Sequence, residues 1–543
     1  MTYPAAILAA ENPLVLYFER LFTADPFRGI YQVNAFDLLL LIPYFLVLAI
    51  LSVYGLHRYY LVYSYYRHRR NLPKREPGQI SPLPRVTVQL PVYNERYVVE
   101  RLIDEVCRLD YPAELLESQL LDDSTDDTSL VARHCVERHA ALGFPIRYFH
   151  RNNRQGFKAG ALAAGLRVAR GEFVAIFDAD FLPPPNFLQT TLPCFRDRTV
   201  GMVQTRWSYI NRNYSLLTRV QSILLDGHFI LEHGARSRSG CFFNFNGTAG
   251  IWRRQAIEEA GGWQHDTLTE DTDLSYRAQL RGWKFLYLQD VECPSELPVE
   301  INAFKSQQAR WAKGLIQTAR KLLPTLWRSP LPWRVKIEAF FHLTANICYP
   351  LMAVLAALLL PAMIVRFYQG WFQMLYIDLP LLLAATCSVS AFYLVSQREL
   401  FPGTWKQSIK FLPLLMATGI GLTLSNSRAV IEALFGVPSP FVRTAKYRIE
   451  SSADRIANKK YRHRANWIAL LEMLVGCYFA FTVYYAVANE NFATVPFLCL
   501  FAGGYLGMGL LSAFQGKGEQ LAGALYSRLA LLLRPIGKGL QES

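Results

Sequence analysis

Five apolar runs constrain this chain more than any other feature. Residues 36–55, 339–365, 377–395, 467–488 and 493–512 are each long enough, as helices, to cross ~30 Å of hydrocarbon at ~1.5 Å per residue. A backbone in lipid has to satisfy its own N–H and C=O groups, so runs of this kind fold as helices. Pro350 and Pro361 kink the second run without preventing a crossing. The chain is 543 residues long and 52% hydrophobic with only 18% charged residues, and these runs account for the apolar excess. An integral, multi-pass membrane protein is expected.

The N-terminus lacks a basic start, and Glu11 and Glu19 interrupt its early apolar residues, so no cleavable signal peptide is expected. Nine cysteines stand singly with no CxxC pair, which argues against a disulfide framework or a zinc site and suits a reduced compartment. The net charge of +14 gathers beside the apolar runs. "RHRRNLPKR" (67–75) follows the first run, and "RTAKYR" (443–448) with "NKKYRHR" (458–464) precedes the fourth. Clusters so placed stay on the cytoplasmic side and face anionic lipid headgroups, so the expected partner is the bilayer and not nucleic acid. Runs two and three then leave the cytosol and return. The segment 405–436 is apolar enough to cross, but crossing would export the basic block. It is expected to lie at the interface as an amphipathic segment.

Between residues 84 and 297 the pattern changes to that of an α/β domain. "RVTVQL" (85–90), "SQLLD" (118–122), "IRYFH" (146–150), "EFVAIF" (172–177) and "VGMVQTRW" (200–207) are short β-rich runs, with helical stretches at 97–109 and 128–141 between them. Such alternation predicts a largely parallel sheet with ligands at the carboxyl ends of its strands. Asp122 and Asp123 end one predicted strand; Asp178 and Asp180 follow another.

The chemistry reads as follows. In "FDADF" (177–181), Asp178 and Asp180 at D-x-D spacing can jointly hold a hard divalent cation, Mg²⁺ or Mn²⁺, whose task would be to neutralise a departing diphosphate. In "LLDDSTDDT" (120–128), Asp122 or Asp123 can accept hydrogen bonds from a base or ribose, whereas Asp126 or Thr128 can serve as an ordinary turn and helix cap. "HRNNRQGFKAGAL" (150–162) sets Arg154 and Lys158 around a glycine-flanked turn suited to an anion, although a solvated basic loop has the same composition. Thr269-Glu270-Asp271 reads as a helix start, and a helix N-terminus lowers a carboxylate's pKa, so Asp271 need not be elevated to exist as a base, while helix capping is the plainer reading of one of the two acids. In "SQQARWAKG" (306–314), Gln307, Arg310 and Trp311 share one helix face. They offer a neutral donor, a planar fork for phosphate and a ring on which a pyranose can stack. An interfacial Arg/Trp belt is the plainer reading of the same residues.

Taken together, "PVYNE" (91–95), "DDSTD" (122–126), "DAD" (178–180), "TED" (269–271) and "QQARW" (307–311) resemble the processive family 2 glycosyltransferases, above all the plant cellulose-synthase-like mannan and xyloglucan-backbone synthases. "FFNFNGTAGIWR" (242–253), "EAGGW" (259–263) and "RGWKFLYL" (281–288) add to the resemblance, which runs from about residue 85 to 323 and more loosely through "FVRTAK" (441–446). It implies a GT-A (Rossmann-like) cytosolic domain inserted in an α-helical transmembrane region. It also implies that Tyr93, Glu95, Asp122, Asp123, Lys158, Asp178, Gln307, Arg310, Thr444 and Lys446 bind the nucleotide sugar. Asp178 and Asp180 would hold the metal, and Asp271 would be the base beside Thr269 and Glu270. Trp311, Phe243, Asn244 and Phe441 would contact the acceptor, with Asn244 standing where the family's "FFCGS" has cysteine. No segment after Ser512 is large enough for a cyclic-di-GMP-binding domain, so activation by that nucleotide is not expected.

The implied activity is polymerisation of a hexose from UDP-glucose or GDP-mannose into a β-linked polysaccharide that is passed across a bacterial inner, plasma or Golgi-type membrane, accessory secretion proteins being an allowed addition. The rival readings are a non-processive transferase acting on a lipid and a non-catalytic scaffold. The expected divisions are an N-terminal segment with the first span and linker (1–83), the cytosolic domain (84–300), interfacial helices (301–337), a helix pair (338–400), an interfacial helix and loop (401–465), a second pair (466–514) and a cytosolic tail (515–543).

Overall fold

The computed structural model describes residues 34–73, 80–368, 375–439, 441–451, 454, 456, 459–461 and 467–532. The expectations for the N-terminus, most of the linker, and much of the 458–464 block lie outside them. The chain divides into two units. One holds residues up to Leu56 with Leu351–Val389, and the other holds His57–Pro350 with the chain from Ser390 onward.

In the first unit, the leading part of helix Ala35–Arg67 and parts of helices Cys348–Tyr368 and Leu375–Leu400 share a core of Leu41, Tyr44, Leu48, Leu355 and Ala362.

The second unit is built on a seven-stranded sheet of β1 (Val86–Val92), β2 (Leu116–Asp122), β3 (Ile146–His150), β4 (Phe173–Ile176), β5 (Val200–Tyr209), β6 (Gly250–Arg253) and β7 (Lys284–Ser295). Its order is β3-β2-β1-β4-β6-β5-β7. Strands β1, β2, β3 and β4 pair in parallel, as do β5 and β7, while β6 runs antiparallel between β4 and β5. The largely parallel expectation therefore holds with one reversed strand, and β6 and β7 add to the expected five. β6 has only four residues, all buried, so it offers no alternation to read. Apolar cores cover both faces of the sheet, one around Val88, Leu90 and Phe177, the other around Ile176, Phe245 and Trp252. Helices at Val99–Val106 and Thr128–Ala141 occupy the expected stretches.

Register places the chemistry. Val92 of β1 lies opposite Asp122 of β2, and β4 lies on the other side of β1, so the loops opening at Tyr93, Asp123 and Asp178 leave one edge of the sheet side by side.

The 28-residue helix Ile301–Arg328 carries "QQARW". Its Lys305 forms a buried ion pair with Glu472 of helix Ile468–Ala488, with Nζ–Oε1 at 2.7 Å. An unpaired carboxylate within such an apolar helix would be costly, so this pair ties the two helices together.

Four helices among the described residues are long and apolar enough to cross a membrane: Ala35–Arg67, Trp333–Arg366, Ile468–Ala488 and Val495–Gln515. Trp405–Gly421 and Thr423–Leu434 pass the same test only as a pair, bent by 42°. The final helix runs over Val495–Leu532, and its membrane-length apolar part is Val495–Gln515. One trio of metal-type donors, Asp104, Cys135 and His139, comes together away from the sheet edge. Arg138 shares it, pairing with Asp104 at 3.2 Å.

Candidate active site

A single cavity at the sheet edge is lined by Tyr93, Glu95, Asp123, Arg154, Lys158, Asp178, Asp180, Thr269, Glu270, Asp271, Gln307, Arg310, Trp311, Phe441, Thr444 and Lys446. Residues spread over some 350 positions thus meet in one crevice. Three candidates lie elsewhere. Asp122 is fully buried beneath the floor, where it accepts hydrogen bonds from Tyr148 Oη at 2.7 Å and from the Ser124 amide at 2.9 Å. It shapes the loop that presents Asp123. Phe243 is buried in the sheet core, and the Asn244 side chain turns back to donate to the Phe245 carbonyl at 2.9 Å. In the "FFNFN" segment the residue that reaches the cavity is Asn246, followed by Gly247.

The loops that carry Tyr93, Glu95 and Asp123 are held by three arginines, of which only Arg154 was marked by its spacing. Arg151 grips Asp123 with two nitrogens, Nε–Oδ1 being 2.6 Å. Arg154 lies 3.4 Å above the Tyr93 ring centroid, so it stacks as a cation on an aromatic face. Arg443 of "FVRTAK" reaches Glu95 at 3.0 Å. Burial pushes Glu95 up to about 8 even with that partner.

Asp178 and Asp180 each face the cavity and each meets a lysine. Lys158 Nζ contacts Asp178 Oδ1 and donates to the Gly247 carbonyl at 2.9 Å, while Lys446 Nζ lies 2.7 Å from Asp180 Oδ2. The pair fits a hard divalent cation: two carboxylates one residue apart open to the same cavity, and an ammonium group already stands against each. Burial raises the Asp178 carboxyl. For Lys158 burial acts downward, but Asp178 and Glu270 outweigh it and the ammonium is stabilised.

Glu270 and Asp271 open helix Glu270–Leu280, as the spacing predicts. The expected lowering of Asp271 by that helix end does not hold. Burial, and then the Glu270 carboxylate beside it, push Asp271 up to about 7. Its Oδ1 accepts from the Thr272 amide at 2.7 Å. Beside Oδ2 only glycine fits: a Cβ on Gly247, at φ +81°, would stand 2.9 Å from it.

The "QQARW" helix docks against this acidic turn through its own glycine. A Cβ at Gly314 would lie 2.5 Å from Thr269 Cγ2, and Gln317 accepts from the Leu268 amide at 2.9 Å. That close approach brings Gln307, Arg310 and Trp311 to the cavity. Arg310 donates to the Val442 carbonyl at 3.0 Å and lies 4.6 Å from the Phe441 ring centroid. Phe441 also stacks on Phe157 at 5.8 Å, so the "FVRTAK" segment closes one wall.

A mixed GT-A sheet with paired acids, a buried carboxyl raised to about 7 and cationic walls at one edge fits a nucleotide-sugar transferase. The family description "Glycosyltransferase like family 2" matches residues 84–314. Across longer spans the chain is 36% identical over 431 residues, 75% of its length and 73% of the relative's, to glucomannan 4-beta-mannosyltransferase 7 of Arabidopsis thaliana. It is 48% identical over 255 residues, 46% of this chain and 48% of the relative, to glucomannan 4-beta-mannosyltransferase 2 of the same plant. Among solved structures, the mannosyltransferase PcManGT from Pyrobaculum calidifontis in complex with GDP-Man and Mn²⁺ aligns with a TM-score of 0.47 at 25% identity, covering 66% of this chain and 99% of that one. The chain belongs to glycosyltransferase family 2, in its cellulose-synthase-like branch, and is an enzyme of that class.

Proposed function

We propose that the crevice transfers mannose from GDP-mannose to the end of a growing β-linked glycan, and that the apolar helices pass the product across the membrane. The observation that carries this reading is the meeting of Asp123, Asp180, Asp271 and Trp311 in one cavity. The mannosyl group follows from the printed names of the relatives, which are mannosyltransferases, and GDP-mannose is the mannosyl donor of the two that the resemblance implies. UDP-glucose remains the alternative donor to test.

Asp271, with its pKa near 7, takes the proton from the acceptor's terminal hydroxyl as that oxygen attacks the anomeric carbon. The carbon–oxygen bond to the diphosphate breaks on the opposite face, and its electron pair leaves with the diphosphate. An α-linked donor therefore gives a β-linkage. Asp178 and Asp180 would hold a divalent cation, which supplies countercharge to the diphosphate when bound. Arg310, Lys158 and Lys446 bring fixed positive charge to the same region, and charge organised ahead of the reaction is the largest catalytic contribution expected here. Gln307 donates beside them. Trp311 stacks on the acceptor sugar. Asp123, Tyr93 and Glu95 hold the nucleoside, and Thr444 and Phe441 close over it.

The basic clusters keep the catalytic domain on the cytosolic side. The 42° break within 405–434 favours an interfacial course for that segment. Membranes bearing the protein are to be offered a panel of radiolabelled nucleotide sugars, and any polymer digested with linkage-specific hydrolases. Label from GDP-mannose released by a β-mannanase supports the reading; transfer to lipid alone, or to nothing, rejects it.

A further inference from the structure

The cavity has a wall that the reaction above does not use. Asn246 lines it one residue from Gly247, whose carbonyl holds Lys158 and whose missing side chain makes room for Asp271. The Asn246 amide is clamped by two imidazoles. Its Nδ2 lies 2.9 Å from His228 Nε2, and its Oδ1 lies 2.6 Å from His233 Nε2.

The hydrogen bonds around the two rings fix the protons. His228 Nδ1 faces the Glu232 carboxylate at 2.8 Å, and a carboxylate accepts, so Nδ1 carries a hydrogen, while Nε2, facing the Asn246 Nδ2 donor, accepts. His233 Nε2 faces two acceptors, Asn246 Oδ1 and the Asn244 carbonyl at 3.1 Å, so it carries the hydrogen. Burial holds the His233 ring far below its ordinary pKa, in keeping with a neutral ring. The two histidines thus adopt opposite tautomers, and together they allow the amide one orientation.

The backbone is specialised for this. His228–His233 is a π-helical turn inserted between helices Leu216–Gly227 and Gly234–Ser239. Side chains five residues apart diverge on an α-helix, but a turn of about 4.4 residues brings them together, and here the two rings sit 4.4 Å apart. The Asn246 backbone N–H donates to Gln204 Oε1 at 2.9 Å. Of the two Nδ2 hydrogens, His228 takes one. The other has no partner among the described residues.

We propose that Asn246 is a specificity-determining residue: its second Nδ2 hydrogen recognises one ring hydroxyl of the hexose at the reacting centre, with His228 and His233 acting as positioning residues. This rests on the function proposed above. A fixed amide discriminates strongly, because a sugar lacking the matching hydroxyl leaves a buried donor unpaired.

The test uses the full-length enzyme in detergent or nanodiscs. Donor substrates are GDP-mannose and analogues each lacking one ring hydroxyl, assayed by hydrolysis without acceptor. Acceptors are β-1,4-mannooligosaccharides deoxygenated in the same way, assayed by transfer. The wild type should lose about tenfold or more in kcat/KM for one particular analogue. In Asn246→Ala that analogue should lose nothing beyond the loss shared by all sugars. Asn246→Leu, similar in volume and unable to hydrogen-bond, guards against a cavity effect and should show the same collapse of discrimination, and His228→Ala a partial one. Collapse in the hydrolysis series assigns the hydroxyl to the donor; collapse only in the transfer series assigns it to the acceptor. Variants that keep the wild-type discrimination while slowing every substrate equally overturn the proposal. A wild type that consumes no nucleotide hexose would instead overturn the function beneath it.

Discussion

Lys446 Nζ lies 2.7 Å from Asp180 Oδ2, so a residue of the "FVRTAK" segment stands against one carboxylate of the metal-type pair. A divalent cation on Asp180 has to share that oxygen with Lys446 or move it. Lys446→Ala is therefore expected to act in two directions. Half-saturation for Mg²⁺ or Mn²⁺ should fall, because the competing ammonium is gone, while kcat drops by ~10² because a cation is lost from the leaving group. A metal titration of initial rates reads both, and an unchanged half-saturation would separate Lys446 from the metal. EDTA should abolish transfer in the wild type, and either cation should restore it.

Asp271 sets the pH dependence. Its pKa of about 7 means that the base form is in the minority in acid, so kcat should rise through about pH 7 and then level. The same shift bears on stability. For a carboxyl raised in the folded state, the unfolded chain gives up its proton first. Rising pH therefore removes stability between the ordinary aspartate pKa and about 7, and Asp271→Asn should lift the melting temperature at pH 8 more than at pH 5. A flat kcat profile between pH 6 and 8 would deny Asp271 its role.

Arg310 lines the cavity and spans the Phe441 ring and the Val442 carbonyl. Arg310→Ala should cost ~10²–10³ in kcat. Arg310→Lys should recover little of it, since the stacked planar fork is lost although the charge remains. Steady-state rates with saturating donor decide.

Gly314 offers a test away from the chemistry. A Cβ there would meet Thr269 Cγ2 at 2.5 Å, and the acidic turn cannot retreat without moving Asp271. Gly314→Ala should therefore destabilise by ~1–3 kcal/mol and lower kcat more than donor affinity. Thermal unfolding and donor binding together check this.

Much of the site was legible because its parts are local. D-x-D after an apolar strand, an acid pair at a helix start and Gln307, Arg310 and Trp311 on one face each rest on spacing within a few residues. The parallel strands that set the loops side by side were legible from their β-rich runs. What escaped is what distance along the chain hides. The grip of Arg443 on Glu95 joins segments on opposite sides of the sheet domain's sequence, and Arg151 meets Asp123 from the end of the neighbouring strand. Asn244 was singled out by setting "FFNFN" against the family's "FFCGS", whereas the side chain that lines the cavity is Asn246, held by a π turn that no residue pattern announced. The helix end at Asp271 is visible in sequence, whereas the burial that raises its carboxyl is not.

In the proposed reaction Asp271 draws the proton from the incoming hydroxyl, in a crevice that otherwise only binds and orients. GDP-mannose binding and single-turnover transfer are to be measured on the same preparations of wild type and Asp271→Asn. Donor affinity should stay within about threefold of wild type while transfer falls by ~10³ or more. Transfer by Asp271→Asn at a tenth of the wild-type rate or faster would contradict that role.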